Sequence, residues 1–253
     1  MSEIHISLKP EILGEMFGLP ITNSLILSLL TALVLVGGGF LVAGALRHIP
    51  GRIQSGVEII IEAILEVMTQ VLGVRELAKK FFPLIATIFL FILLNNWIGV
   101  LPGIGSLGFA QAHDGKEEFI PLFRSANSDL NSTLALALIA MVAIQLYGIG
   151  KLGFFRHWSK FFAFTKGPVY FFVGILELIG EFAKVVSFSF RLFGNIFAGE
   201  VLLVIVSALL PFFASFGLLP FLFLEFFVGF IQALVFAMLT LIFLKVATSE
   251  IQH

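Results

Sequence analysis

The sequence predicts an all-α polytopic membrane protein in which residues 1–253 form a single membrane domain. Of its residues 59% are hydrophobic and only 12% are charged, against roughly 25% charged in a typical soluble domain. The mean hydropathy is +1.08. Five apolar stretches are long enough to cross a hydrocarbon layer of ~30 Å, which takes ~20 helical residues. The net charge of −1 gives no argument for a nucleic-acid partner. The absence of cysteine excludes disulfides, thiolate metal sites and thiol catalysis.

The N-terminal part is predicted to consist of an external segment and one span. Residues 1–20 lack the basic start and the adjacent short apolar core of a cleavable signal peptide. Residues 21–46 carry no charge before the basic residues that follow. We therefore expect 1–20 to be an external N-terminal segment and 21–46 to be span 1.

The stretch 53–72 is predicted to be an amphipathic helix at the membrane surface. Glu58, Glu62 and Glu66 recur every four residues between apolar side chains, so the acids share one side of a helix. Three acids in so short a stretch are too costly for a span that faces lipid, whereas a helix at the interface can keep them in water.

A hairpin of two spans is predicted next, with span 2 at 78–101 and span 3 at 132–150. The connection between them, 103–130, is rich in acidic residues and is predicted to be a polar loop. Asn96 lies near the end of span 2. It has two open interpretations: it could polarise a water path, or it could donate an interhelical hydrogen bond.

Two long helices are predicted to end the chain, at 168–210 and 218–247. A helix of the first length would be ~60 Å long at 1.5 Å per residue, about twice the hydrocarbon thickness. It must therefore tilt strongly or break, and Gly194 and Gly199 are candidate positions for a bend.

Polar side chains form a stripe on the first of these long helices. At 100° per residue they fall within about 80° of one another. They are Glu177, Glu181, Lys184, Arg191 and Asn195. Because charges at membrane depth are costly, such a stripe indicates an ion or proton pathway. The alternative is that Glu177 or Glu181 forms a helix-holding ion pair with Lys184. Arg191 has no acid within four residues on its helix.

The distribution of basic residues predicts the orientation. Two connecting regions, 47–80 and 151–166, hold nine of the fifteen lysine and arginine residues: Arg47, Arg52, Arg75, Lys79, Lys80, Lys151, Arg156, Lys160 and Lys166. Because basic loops stay in the cytoplasm, both regions should lie on that side. With five passages, the N-terminus is then periplasmic and the C-terminus cytoplasmic.

The C-terminal third contains SFSFRLFGNIFAGE and, downstream, FLEFFVGFIQALVFAMLTLIFL. These motifs resemble the a subunit of the F-type ATP synthase membrane sector, bacterial type. The resemblance implies a stator in the bacterial inner membrane that forms two offset half-channels against a rotating ring of c subunits. It would couple proton flow to ring rotation and ATP synthesis. Its implied partners are the c-subunit ring, which the two tilted helices would contact, b-type peripheral stalk subunits and, indirectly, the catalytic head.

The resemblance also implies roles for individual residues. Arg191 matches the essential arginine, which stays protonated and can attract a ring carboxylate without itself carrying the proton. The implied external proton path comprises Asn96, Asn195, Glu200, Glu225 and Gln232, with Gln232 facing Arg191. The implied cytoplasmic path comprises Ser187, Glu177, Glu181 and Lys184. No catalytic site, cofactor or metal is expected in the chain, because it lacks GxxxxGK[ST] and the ATP chemistry would belong to partner subunits.

Two positions depart from the family pattern. Many relatives have a histidine and a glutamate where this chain has Glu225 and Glu200, so a histidine relay is absent and the two acids are expected to repel each other. Some relatives have an aspartate where this chain has Gly99. Two other classes of function compete with the stator. A secondary transporter would be favoured by an internal repeat, which is not visible, and a purely structural subunit would tolerate loss of Arg191.

Overall fold

The computed structural model describes residues 10–16, 18–44, 46, 51–104, 107–113, 116–159, 168–209 and 217–248. The first nine residues of the predicted external segment lie outside these ranges. The basic residues Arg47, Lys160 and Lys166 also lie outside them.

Seven helices are present in these ranges: α1 (Asn23–Gly44), α2 (Arg52–Leu72), α3 (Arg75–Val100), α4 (Leu130–Leu152), α5 (Phe154–Ser159), α6 (Pro168–Leu209) and α7 (Leu219–Thr248). Among them α1, α3, α4, α6 and α7 are long and apolar enough to cross a membrane. The prediction of an all-α polytopic membrane protein is therefore confirmed. The charged helix α2 is not among the candidate spans, because its acids interrupt the apolar sequence.

Two short hairpins were not predicted. Strands β1 (Ile12–Met16) and β2 (Leu19–Thr22) pair antiparallel just before α1. Strands β3 (Gly108–His113) and β4 (Lys116–Pro121) pair antiparallel within the predicted polar loop. An Asp-Gly pair stands in the sequence between His113 and Lys116, and this dipeptide is the strongest short-range hairpin signal. The sequence thus carried a signal for the second hairpin.

The helix α6 runs unbroken for 42 residues. The sequence left open whether this stretch tilts or breaks, and the helix continues through both Gly194 and Gly199. Its buried residues recur at helical spacing, with Phe188, Leu192 and Ile196 each at most 4% exposed. This face is therefore fixed against the rest of the protein, and the opposite face is turned outward.

The core lies where α7 meets the other long helices. One apolar cluster joins α2, α3, α4 and α7, and a second joins α3, α4, α6 and α7. Helices α6 and α7 pack antiparallel, since the Phe188 and Phe236 rings are 4.9 Å apart and Gly199 meets Glu225 further along. This antiparallel register determines which polar side chains of the two helices can meet.

Candidate functional site in the membrane-crossing helices

Arg191 lies in the middle of α6 with its side chain exposed. Its Nη2 donates to the Ser187 hydroxyl, one turn earlier, over 3.4 Å. Among the ion pairs of the described residues, none involves Arg191. The exposed Arg191 stands next to the fully buried Leu192, so the guanidinium lies outside the apolar core. The fold thus presents a permanent positive charge on the outer surface of a membrane-crossing helix.

Small side chains surround Arg191 on this outer face. At helical spacing the face carries Gly180, Ala183, Ser187, Gly194 and Ala198. Small residues of this kind let another helix approach closely within a membrane. The face around the arginine is therefore shallow, and Ser187 and Asn195 are its polar neighbours one turn to either side.

Gln232 contacts Asn195 across the two long helices. The Asn195 Nδ2 donates to the Gln232 Oε1 over 2.7 Å, and Gln232 is only 4% exposed. The sequence interpretation had Gln232 facing Arg191, whereas the hydrogen bond found goes to the residue one turn further along α6. The helix register explains this, because the pairing of Phe188 with Phe236 and of Gly199 with Glu225 brings Gln232 level with Leu192, while Arg191 is exposed. Within the described residues the Gln232 Nε2 has no hydrogen-bond partner.

Glu225 is buried in α7 against the backbone of α6. It is 5% exposed, and its carboxyl group packs directly on Gly199, where a Cβ atom would overlap it. Its Oε1 has no hydrogen-bond partner among the described residues. A glycine at position 199 is therefore what makes room for the acid.

Glu200 forms an ion pair that was not predicted from the sequence. Its Oε1 lies 3.1 Å from the Nε of Arg124, whose side chain is only 10% exposed. Arg124 also donates to the Ser128 hydroxyl over 3.2 Å. The expected repulsion between Glu200 and Glu225 did not take into account this counter-charge on Glu200. Arg124 and Glu200 are 76 residues apart, so no local spacing could have indicated the pair.

Asn96 joins α3 to α7 in a buried amide network. Its Nδ2 donates to the Gly229 carbonyl over 3.0 Å, and its Oδ1 accepts from the Asn127 Nδ2 over 2.7 Å. Of the two interpretations left open by the sequence, the structure shows the interhelical hydrogen bond. Asn127, which is fully buried, was not singled out from the sequence.

The remaining acids lie near the start of α6. Glu181 accepts from the Lys184 Nζ over 2.7 Å and from the Gln145 Nε2 over 3.0 Å. Together with Glu177 these side chains line a cleft of about 200 Å³. The alternative of an ion pair on the helix is thus found for Glu181 and Lys184. Gln145 of α4 was not assigned a role from the sequence.

Five membrane-crossing helices and a polar site shared by α6 and α7 define a multi-pass helical membrane protein with charged groups inside its membrane-crossing helices. The model of the ATP synthase A chain family matches residues 25–245 of the sequence. The chain belongs to this family, and the resemblance read from the sequence is confirmed.

Bacterial relatives agree with this assignment. The ATP synthase subunit a of Campylobacter concisus (strain 13826) is 33% identical over 228 residues, which cover 88% of this chain and 89% of the relative. That of Helicobacter pylori (strain Shi470) is 37% identical over 202 residues, covering 79% and 77%. That of Geotalea daltonii is 33% identical over 225 residues, covering 88% and 85%. The similarity therefore extends over most of both chains.

Proposed function

We propose that this chain is the stator proton-channel subunit of a bacterial F-type ATP synthase. It forms two offset half-channels that load and unload protons on the carboxylates of a rotating c-subunit ring. Proton flow across the membrane is thereby coupled to ring rotation and ATP synthesis. Family membership supports the assignment to the complex, and the proposal of two half-channels rests on the side chains of α6 and α7.

The observation that carries the proposal is the exposed Arg191, which makes no ion pair within the described residues. A guanidinium is protonated at any working pH, so it attracts an ionised carboxylate but cannot accept and pass on a proton. A ring carboxylate that has lost its proton is held at Arg191 until a proton from one side neutralises it. The arginine therefore separates the two half-channels electrostatically.

The surface around Arg191 supports contact with a ring of helices. The small residues on the outer face of α6 allow a partner helix to approach closely. A helix of 42 residues is also too long to stand upright in a layer of ~30 Å. We infer that α6 and α7 are strongly tilted, which lays the polar stripe across the surface of the ring.

The external half-channel is proposed to use the polar side chains that meet on one side of Arg191. Glu225, Glu200 and Asn195 would pass a proton toward the ring, with Gln232 and Asn96 as further polar groups on the same side. The burial of Glu225 and its contact with Gly199 support this path. The unsatisfied Glu225 and Gln232 atoms also support it, because buried polar groups of this kind are normally hydrogen-bonded by protein or water.

The cytoplasmic half-channel is proposed to begin at Ser187 and to end at the acids near the start of α6. The cleft lined by Glu177, Glu181 and Lys184 is large enough to hold several water molecules. A proton leaving the ring near Ser187 would reach solvent through this cleft. The basic connecting regions support a cytoplasmic exit, and the proposed orientation has the N-terminus periplasmic and the C-terminus cytoplasmic.

The energetics favour a rotary partner. Each charge moved through 100 mV yields ~2.3 kcal/mol, so several protons are needed for each ATP, and a ring can accumulate them. The partners are then the c-subunit ring, b-type stalk subunits and, through them, the catalytic head. The ATP chemistry would take place there.

Cysteine cross-linking tests the contact with the ring. The chain contains no cysteine, so single cysteines can be introduced by Ser187→Cys and Asn195→Cys. Both should cross-link to a cysteine placed beside the ring carboxylate. The matched control is Leu30→Cys, which is also exposed but lies on α1. Cross-links from the control alone would contradict the proposal.

A further inference from the structure

The short helix α5 buries a histidine against the end of α4. His157 is 1% exposed, and its Nε2 lies 2.6 Å from the Gln145 Oε1. The chain can fold back between the two helices because Gly153 adopts a φ of 84°, which is unfavourable for other residues. A Cβ atom on Gly148 would lie 2.6 Å from the imidazole Cε1. The glycine at position 148 thus leaves room for the buried imidazole beside Gln145.

The hydrogen bonds around His157 form a chain in which His157 donates to Gln145 and Gln145 donates to Glu181. A carboxamide oxygen only accepts, so the hydrogen lies on the His157 Nε2 and is donated to Gln145. The Gln145 Nε2 in turn donates to the Glu181 Oε2 over 3.0 Å. If the carboxamide turned by 180°, its oxygen would face the Glu181 carboxylate, and two acceptors would repel each other. The Glu181 carboxylate therefore selects the orientation of the Gln145 carboxamide, and the His157 Nε2–H holds the Gln145 oxygen in that orientation.

We propose that His157 is a positioning residue for proton exchange at the cytoplasmic half-channel, and that it acts through Gln145 on Glu181. Glu181 lines the cleft together with Glu177 and Lys184. Fixing its carboxylate between the donors of Gln145 and Lys184 keeps an acceptor at the cleft wall. The inference rests on the proposed function, since it assumes that protons leave through this cleft.

The test is ATP-driven proton pumping by the whole complex in inverted membrane vesicles, expressed per assembled complex. His157→Leu and Gln145→Leu should each lower pumping about three- to ten-fold, the range expected when one hydrogen bond that orients the site is lost. The double variant should pump no less than Gln145→Leu alone. His157→Gln keeps a donor at a similar reach and should restore at least half of the activity. The control Phe155→Leu changes an 87% exposed residue of α5 and should pump normally.

If the double variant pumps less than Gln145→Leu, so that the two losses of pumping multiply, the proposal is overturned, because His157 then does not act through Gln145. Failure of His157→Gln to restore pumping would overturn it as well. If His157→Leu does not assemble, wild-type pumping by Gln145→Leu decides against the proposal. Arg191→Ala is measured in the same preparations. Wild-type pumping by Arg191→Ala would overturn the proposed function itself. If Arg191→Ala does not pump but His157→Leu pumps normally, only the role of His157 is overturned.

Discussion

Arg191 and Glu200 lie on the same helix, but only Glu200 has a counter-charge among the described residues. Glu200 is paired with the largely buried Arg124, so its charge is compensated within the chain. Arg191 is exposed and hydrogen-bonded only to Ser187 among the described residues. A charge left uncompensated on a membrane-crossing helix is expensive unless a partner supplies the counter-charge. We therefore expect a partner outside the chain to supply the counter-charge for Arg191.

The sequence indicated the candidate site residues of α6 and α7, but several contacts made by distant segments were not predicted. Arg191 could be singled out because one helix places its residues at known angles, whereas Glu200, Glu225 and Gln232 were singled out by the resemblance to the family motifs. The contacts that were missed are those of Arg124 with Glu200, Asn127 with Asn96, and Gln145 with Glu181 and His157. Each of these depends on how distant segments pack, so no spacing in the sequence reveals it.

At the residue scale we expect Glu200→Gln and Glu225→Gln each to slow ATP-driven proton pumping. The double change should cost much more than either single change, because the two carboxylates would share one water path. Pumping by membrane vesicles across a range of pH checks this. The control Glu66→Gln removes an exposed acid from α2. Wild-type pumping by both single variants at every pH would mean that the two acids are structural.

The bounds of helices α6 and α7 lie close to those expected from the sequence. The first was expected at 168–210 and spans Pro168–Leu209, and the second was expected at 218–247 and spans Leu219–Thr248. Long apolar periodicity makes such helices easy to recognise. The hairpins β1–β2 and β3–β4 were missed because their strands are short and lie in stretches taken for a terminal segment and a polar loop.

At the element scale we expect Gly199→Ala to disturb the contact between α6 and α7. The added methyl group would overlap the Glu225 carboxyl, and overpacking of this kind costs ~1–3 kcal/mol. The thermal midpoint of the assembled complex should fall, and pumping should fall with it. The control Gly150→Ala adds the same methyl group where nothing lies within 4 Å. Equal midpoints for the two variants would contradict the close approach.

The whole molecule combines a buried centre with an outer surface suited to lipid and to partner helices. Its five long apolar helices follow directly from composition. The order in which they pack does not, since it depends on the fit of side chains such as Phe188 and Phe236. The orientation in the membrane stays a prediction, which rests on the basic residues of the connecting regions.

At the scale of the whole molecule we expect the connections of the chain to be accessible from opposite sides. In the cysteine-free background, Leu107→Cys should react with a membrane-impermeant maleimide added from the periplasmic side. Lys151→Cys should react only from the cytoplasmic side. Both positions are exposed, so access to the reagent depends on the side of the membrane alone. The reverse labelling pattern would mean that the proposed orientation is wrong and that the two half-channels open to the opposite sides.

The coupled activity of Arg191→Ala is the most direct measurement of the central claim. Because Arg191 is exposed and contributes nothing to the apolar core, the variant complex should assemble, with the ring co-purifying. ATP-driven proton pumping and ATP synthesis should both be abolished. Arg191→Lys should rescue only in part, since an ammonium lacks the planar fork of the guanidinium. Full pumping and synthesis by an assembled Arg191→Ala complex would contradict the role of this arginine as the charge that separates the two half-channels.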